Sequence, residues 1–127
     1  MIVVDASVAV SALLNGGPAR KAMSDQQLHM PHLIDSEIAS VLRRKAAAGQ
    51  VPGDIAANAL DTWQRLAATR YPAAGLLHRI WQLRDNVSAY DATYVALAEQ
   101  LGCDLLTADT RLGRAPGIRC AITILPR

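Results

Sequence analysis

Short apolar runs alternate along this chain with stretches in which apolar residues recur every three or four positions. Ile2-Val3-Val4 is a continuous apolar run closed by Asp5, as in a strand covered on both faces. Ser7 to Leu14 reads as a helix halted by Asn15-Gly16-Gly17-Pro18, and a short helix from Pro18 to about Met23 follows. Leu28 to Met30 predicts a short strand before Pro31. Ile34, Ile38, Val41 and Leu42 then share a helical stripe that ends in Ala46-Ala47-Ala48-Gly49, with Glu37 beside the stripe. Pro52 opens a helix whose Ile55, Ala59, Thr62, Trp63 and Leu66 share a face, and Thr69 to Tyr71 is read as a short strand before Pro72. Ala73 to Leu83 predicts a further helix and Arg84-Asp85-Asn86 a turn. Ser88 begins a helix with Tyr94, Leu97, Ala98 and Leu101 on one side, ended by Gly102. Asp104 to Thr107 is the next strand, Thr110 to Gly113 a helical turn, and Cys120 to Leu125 the last strand.

Strands separated by helices, without a repeat or a linker, predict a single α/β domain over residues 1–127 with a parallel sheet covered on both faces. A chain of this length buries about two-thirds of its unfolded surface and needs no staples. Cys103 and Cys120 lack metal-ligand spacing and lie beside apolar stretches, which predicts buried free thiols and a reducing, cytoplasmic setting. The apolar N-terminus has no basic leader, and no run reaches the ~20 apolar residues that span a bilayer, so no membrane association is expected.

Four acidic positions stand out: Asp5 after the first strand, Glu37 in the third helix, Asp91 opening another helix, and Asp109 after Leu105-Leu106-Thr107-Ala108. Open α/β sheets bind their ligands at the carboxyl ends of the strands. Carboxylates gathered there without cations repel one another, raise one another's pKa and attract a hard divalent ion. Singly, each has a plainer role. Asp91 can complete a capping box with Ser88, Asp109 can cap the turn at Thr110, and Glu37 can be a solvated helix residue. Asp5 is different, because its apolar surroundings make an uncompensated charge costly and no Lys or Arg is close in sequence. As a set, they suit metal-assisted displacement at phosphorus, with Ser7, Thr107 and Thr110 as hydroxyls that hold a ligand oxygen or act as caps.

Charge adds to this picture. The net charge is +2, so the surface outside the four acids is distinctly basic, and eleven Arg stand against two Lys. Arg grips phosphate bidentately, although a GC-rich genome also enriches it. There is no Phe and aromatics are few, so nucleic acid would be read through backbone and shape rather than by stacking.

The segments Val3-Val4-Asp5-Ala6-Ser7, Pro31 to Arg44 around Glu37, Tyr90-Asp91-Ala92-Thr93-Tyr94, and Leu106-Thr107-Ala108-Asp109-Thr110-Arg111-Leu112 occur in order across essentially the whole chain. Together they resemble the PIN domain, and within it the VapC toxins of bacterial type II toxin-antitoxin pairs. The resemblance implies a three-layer α/β/α fold with a central parallel sheet of four or five strands. It implies that Asp5 and Asp91 are the core Mg²⁺ ligands, Asp109 a further ligand, and Glu37 a ligand through water or the base that orients the attacking water. It also implies a toxic Mg²⁺-dependent endoribonuclease, with Mn²⁺ able to substitute, neutralised by a VapB-type antitoxin. The expected assembly is a homodimer that builds higher complexes with the antitoxin and reaches operator DNA only through it.

Other features carry less. Asp35 is read as a helix-start acid. His29, His32 and His78 have no zinc-site spacing. Arg43-Arg44-Lys45 suits a helix C-terminus, with RNA contact through Arg43 and Arg44 as the alternative. Trp63 and Trp81 are placed in the core or at an interface. Two competing functions remain: a catalytically silent PIN scaffold, and a phosphoacceptor receiver domain, which lacks its acidic pair and its late Lys here.

Overall fold

The computed structural model describes residues 1–126. The order is β1 (Ile2–Val4), α1 (Ala6–Asn15), α2 (Gly17–Ser24), β2 (Leu28–Pro31), α3 (Leu33–Ala47), α4 (Gly53–Arg65), β3 (Thr69–Tyr71), α5 (Leu77–Gln82), α6 (Ala89–Leu101), β4 (Asp104–Thr107) and β5 (Ile122–Ile124). All pairings are parallel in the order β3-β2-β1-β4-β5, with Val3 beside His29 on one side and Leu105 on the other. Successive strand residues point to opposite faces. Val3 and Val4 are both fully buried, so helices cover the sheet on both sides in a three-layer α/β/α arrangement. Among the described residues no helix is long and apolar enough to cross a membrane.

The topology fixes where a site can form. From β1 the chain moves outward through β2 to β3, then returns to place β4 and β5 on the other side of β1. The strand order therefore reverses between β1 and β4, and the crevice beyond their carboxyl ends is the switch point at which such sheets bind ligands. Asp5 and Asp109 follow those two strands.

Several elements differ from the pattern-based expectation. α4 buries Ala56, Ala59 and Trp63, while Ile55 and Leu66 are exposed. The cause is tertiary: the Trp63 indole N–H donates to Asp35 of α3 at 2.7 Å, and that bond sets the rotation of the helix. The predicted helix over Ala73 to Leu83 breaks into a 3₁₀ turn at Ala74–Leu76 and the short α5. α6 has no polar face across Ala92 to Ala98, because it packs over β1, β2 and β4 and against α5. The last strand is assigned only over Ile122–Ile124, although Ala121 and Leu125 also bond to β4 at its ends, and it lies at the sheet edge. Cys103 and Cys120 are half-buried rather than buried. Trp81 is 66% exposed, with the Arg84 guanidinium 4.4 Å from its ring centroid, and so is not a core residue.

Candidate active site at the switch point

Asp5 is the most constrained of the four acids. It caps α1 by accepting from the Val8 N–H at 3.1 Å, and the same oxygen accepts from the Ser7 hydroxyl at 2.6 Å. Its other oxygen accepts from the Thr107 hydroxyl. Both hydroxyls are also clamped from β4: Ser7 accepts from the Ala108 N–H and Thr107 from the Asp109 N–H, each at 3.0 Å. Ser7 and Thr107 therefore hold Asp5 in place and join the ends of β1 and β4. Thr110, the other hydroxyl considered, is exposed.

Glu37 approaches from α3 and is half-buried. Its direct partner is Tyr94 of α6, whose hydroxyl donates at 2.5 Å. Burial pushes Glu37 above the usual carboxylate range against the Tyr94 hydrogen bond, and the charges of Asp91 and Asp5 push the same way. Asp91 lies in the first turn of α6, where its N–H donates to Ser88 Oγ at 3.1 Å. The cap is thus made by Ser88 and the Asp91 backbone. The Asp91 carboxyl is raised by burial and by the charges of Asp109 and Asp5. Asp109 caps its own turn through the Arg111 N–H at 3.0 Å. It is also gripped by the exposed Arg111 guanidinium, with Nε at 3.1 Å and Nη2 at 3.0 Å. Tyr94 and Arg111 are the functional neighbours that sequence reading missed.

The four acids line one cavity of about 1020 Å³, together with Ser7, Tyr94 and the α3 residues Arg44 and Lys45. Arg43 is exposed and is not part of its wall. Asp35 faces away: the Arg70 fork binds it at 2.7 and 2.9 Å, so its role is a structural ion pair rather than a helix-start charge alone. His29 bonds Tyr71 through Nδ1 at 2.6 Å, and His78 lies near Gln82 on α5.

The donor set is hard oxygen throughout, which suits Mg²⁺ or Mn²⁺ rather than zinc. Among the described residues, no three His, Cys, Asp or Glu side chains converge closely enough to cage an ion by themselves. The four acids share walls rather than form a ready cage. Mg²⁺ does not require one, since it is commonly held by one or two carboxylates, waters and substrate phosphates.

This crevice, with its acids on β1, α3, α6 and the β4 turn, defines a PIN-type centre, and residues 2–118 match the PIN domain family model. Ribonuclease VapC9 of Mycobacterium tuberculosis is 57% identical over 127 residues, covering all of both chains. The chain belongs to the PIN domain family, in its VapC ribonuclease branch. The crystal structure of Mycobacterium tuberculosis VapC20, described as a sarcin-ricin loop cleaving toxin, shares the fold at a TM-score of 0.71 and 17% identity, covering 94% of this chain and 97% of that one. A toxin-antitoxin complex from Klebsiella pneumoniae matches at a TM-score of 0.69 and 17% identity over all of both chains. Membership of this family removes the receiver-domain alternative.

Proposed function

We propose that this protein is the toxin of a type II toxin-antitoxin pair and acts as a Mg²⁺-dependent endoribonuclease on RNA phosphodiesters. One observation carries the reading: the fold brings Asp5, Glu37, Asp91 and Asp109 to one cavity at the switch point, with the Arg111 guanidinium on Asp109 beside them. Asp5 and Asp91 would hold the ion, with Asp109 as a further ligand. When bound, Mg²⁺ neutralises the phosphate, acidifies a water and stabilises the departing oxygen. The chain's own groups do the rest. Ser7 and Thr107 fix the Asp5 carboxyl at the crevice through hydrogen bonds to its two oxygens. Glu37, made more basic by burial and steadied by Tyr94, orients the attacking water and takes its proton. Arg111 would have to release Asp109 for that carboxylate to serve as a further ligand.

The relatives support a VapB-type antitoxin as partner. Inserting an antitoxin Arg among the acids would silence the site by ion pairing. A homodimer, with operator DNA reached through the antitoxin, completes the expected assembly. That no three ligands converge into a cage among the described residues is the observation that favours the competing reading, a catalytically silent scaffold. Incubation of purified protein with RNA separates them. Cleavage in Mg²⁺ or Mn²⁺, abolished by chelator and by Asp91→Ala with the circular dichroism unchanged, supports the ribonuclease; cleavage that persists in excess chelator overturns it.

A further inference from the structure

The cavity continues well past the acids, and two helical stripes hidden by the stronger core pattern line it. The core stripe of α3 is Ile34, Ile38 and Leu42. Glu37, Val41, Arg44 and Ala48, spaced i, i+4, i+7 and i+11, form a second stripe that faces the cavity. Across from it, Ser7, Ser11 and Leu14 of α1 repeat at i, i+4 and i+7 along the same wall. α1 packs against α3, so the space between the stripes is a trough running from the acidic crevice toward the α3–α4 turn.

The charge along this trough changes sign. Its β-strand end carries the four carboxylates, while Arg44 and Lys45 are the two cations of its lining among the described residues. Arg44 lies seven positions beyond Glu37 on α3, about 10 Å at 1.5 Å per residue, which is close to the rise of three stacked nucleotides at 3.4 Å each. A polyanion brought to a crevice rimmed with carboxylates needs favourable charge elsewhere, and the far end supplies it. Both residues have donors to spare: Arg44 is exposed with its Nη1 on Ser40 Oγ at 3.0 Å, and Lys45 is half-buried. Between the two ends, aliphatic side chains such as Val41 offer a sequence-tolerant surface to bases. An unpaired segment suits such a surface, because its bases can be splayed out to meet it, whereas those of a duplex stay stacked inside the helix.

We propose that Arg44 and Lys45 form a second phosphate subsite, about three nucleotides from the scissile phosphate, so that the trough threads a single-stranded segment of the RNA substrate. The subsite rests on the ribonuclease reading and deepens it by assigning substrate strandedness and minimum length. Arg43 lies one position away on the outer face of the helix and is not part of it.

The test uses single-stranded RNA oligonucleotides of mixed sequence, cleavage sites mapped by end sequencing, and nested truncations from each end of the oligonucleotide that is cut. Wild-type kcat/KM should fall about tenfold when one end is trimmed to fewer than about three nucleotides from the cut, as one charge-assisted phosphate contact is lost. Arg44→Ala and Lys45→Ala should raise KM on the long substrate and leave the trimmed substrate unaffected. Arg44→Lys should restore most of the length dependence, and Arg43→Ala should show wild-type length dependence. If wild type cleaves and Arg44→Ala weakens long and trimmed substrates equally, or neither, the subsite is wrong while the ribonuclease stands. If the two substitutions weaken only antitoxin binding, the trough is a protein seat and the proposal fails. A wild type that cuts no RNA in Mg²⁺ overturns the subsite and the ribonuclease together.

Discussion

Asp35 and Glu37 stand two residues apart on α3 and face two different regions of the molecule. On Asp35's side, burial is outweighed by hydrogen bonds from Arg70 and Trp63, which hold its carboxyl below the usual range. On Glu37's side, burial and the charges of Asp91 and Asp5 prevail over the single Tyr94 hydrogen bond, and the carboxyl is raised. One helix thus carries a carboxylate with its own cation and a carboxylate without one among the described residues. The paired acid joins α3 to α4 and β3. The other belongs to a group whose excess negative charge suits a metal and a reaction. Burial pushes both carboxyls upward, and the Arg70 fork is what reverses the direction for Asp35.

The strongest way to break this contrast is to truncate on each side. Asp5→Ala and Asp91→Ala should reduce RNA cleavage to background at saturating Mg²⁺, whereas Asp35→Ala should retain kcat near the wild-type value. The cost of Asp35→Ala should be stability, about 1–3 kcal/mol, because the Trp63 indole N–H loses its acceptor inside the fold. Chemical denaturation and cleavage assays on the same preparations check both. Loss of kcat in Asp35→Ala without loss of stability would erase the distinction.

Thr107 sharpens the acidic side, because it is fully buried and joins Asp5 to Asp109 through one hydroxyl. Thr107→Val keeps the shape and should lower Mg²⁺ affinity or activity about 10- to 100-fold, as loss of an outer-shell partner does. Asp5→Asn belongs with it. Three donors converge on Asp5, and an amide presents a single accepting oxygen, so a donor must turn away. We expect a stability loss of about 1–2 kcal/mol in chelator, measured by melting. The repulsion expected from sequence among gathered carboxylates therefore does not make Asp5→Asn stabilising, because Asp5 is a hydrogen-bonded hub.

The legible and illegible parts of the molecule divide along the same line. β1, β2, β4 and the boundaries of α1, α3 and α6 follow from apolar runs, Gly and Pro punctuation and caps, all of which act within a few residues. The four acids were visible because each sits beside such a boundary or within a short motif. Tyr94 was read only as a core-stripe residue because its partner is 57 residues away, and Arg70 was not connected with Asp35 across 35 residues. The rotation of α4 followed from the same long-range cluster, which periodicity does not encode. Arg111 is only two residues from Asp109, but a sequence does not tell a fork bound to a carboxylate from one free for phosphate.

The paired side gives a pH prediction with a definite sign. Asp35's folded pKa lies below its unfolded value, so the native state holds fewer protons and the pair's stability is present above about pH 4 and lost as pH falls through the folded value. Arg70→Ala should remove about 1 kcal/mol near neutrality, the scale of a partly exposed ion pair, and should flatten the acid limb of the stability curve. Melting from pH 2 to pH 7 checks this; an acid limb as steep as that of wild type would place the pair's contribution elsewhere.

The smallest effect is the most discriminating for the acidic side. Asp91 is raised by burial and by Asp109 and Asp5, so its folded pKa lies above the unfolded one. The native state then binds the extra proton, and stability is lost as pH rises from about pH 4 through the raised value. Above that window the metal-free protein carries the full repulsion. Asp91→Asn deletes one charge without changing shape, and its side chain is only half-buried, so solvent screens part of the gain. The variant should melt about 2–4 °C above wild type in chelator at neutral pH. That advantage should vanish below about pH 4, where both side chains are neutral. Added Mg²⁺ should reverse the order, because wild type gains binding free energy that the variant largely lacks. If Asp91→Asn melted below wild type in chelator, Asp91 would be a structural acceptor like Asp5, and the repulsion would have to be carried by Glu37 and Asp109.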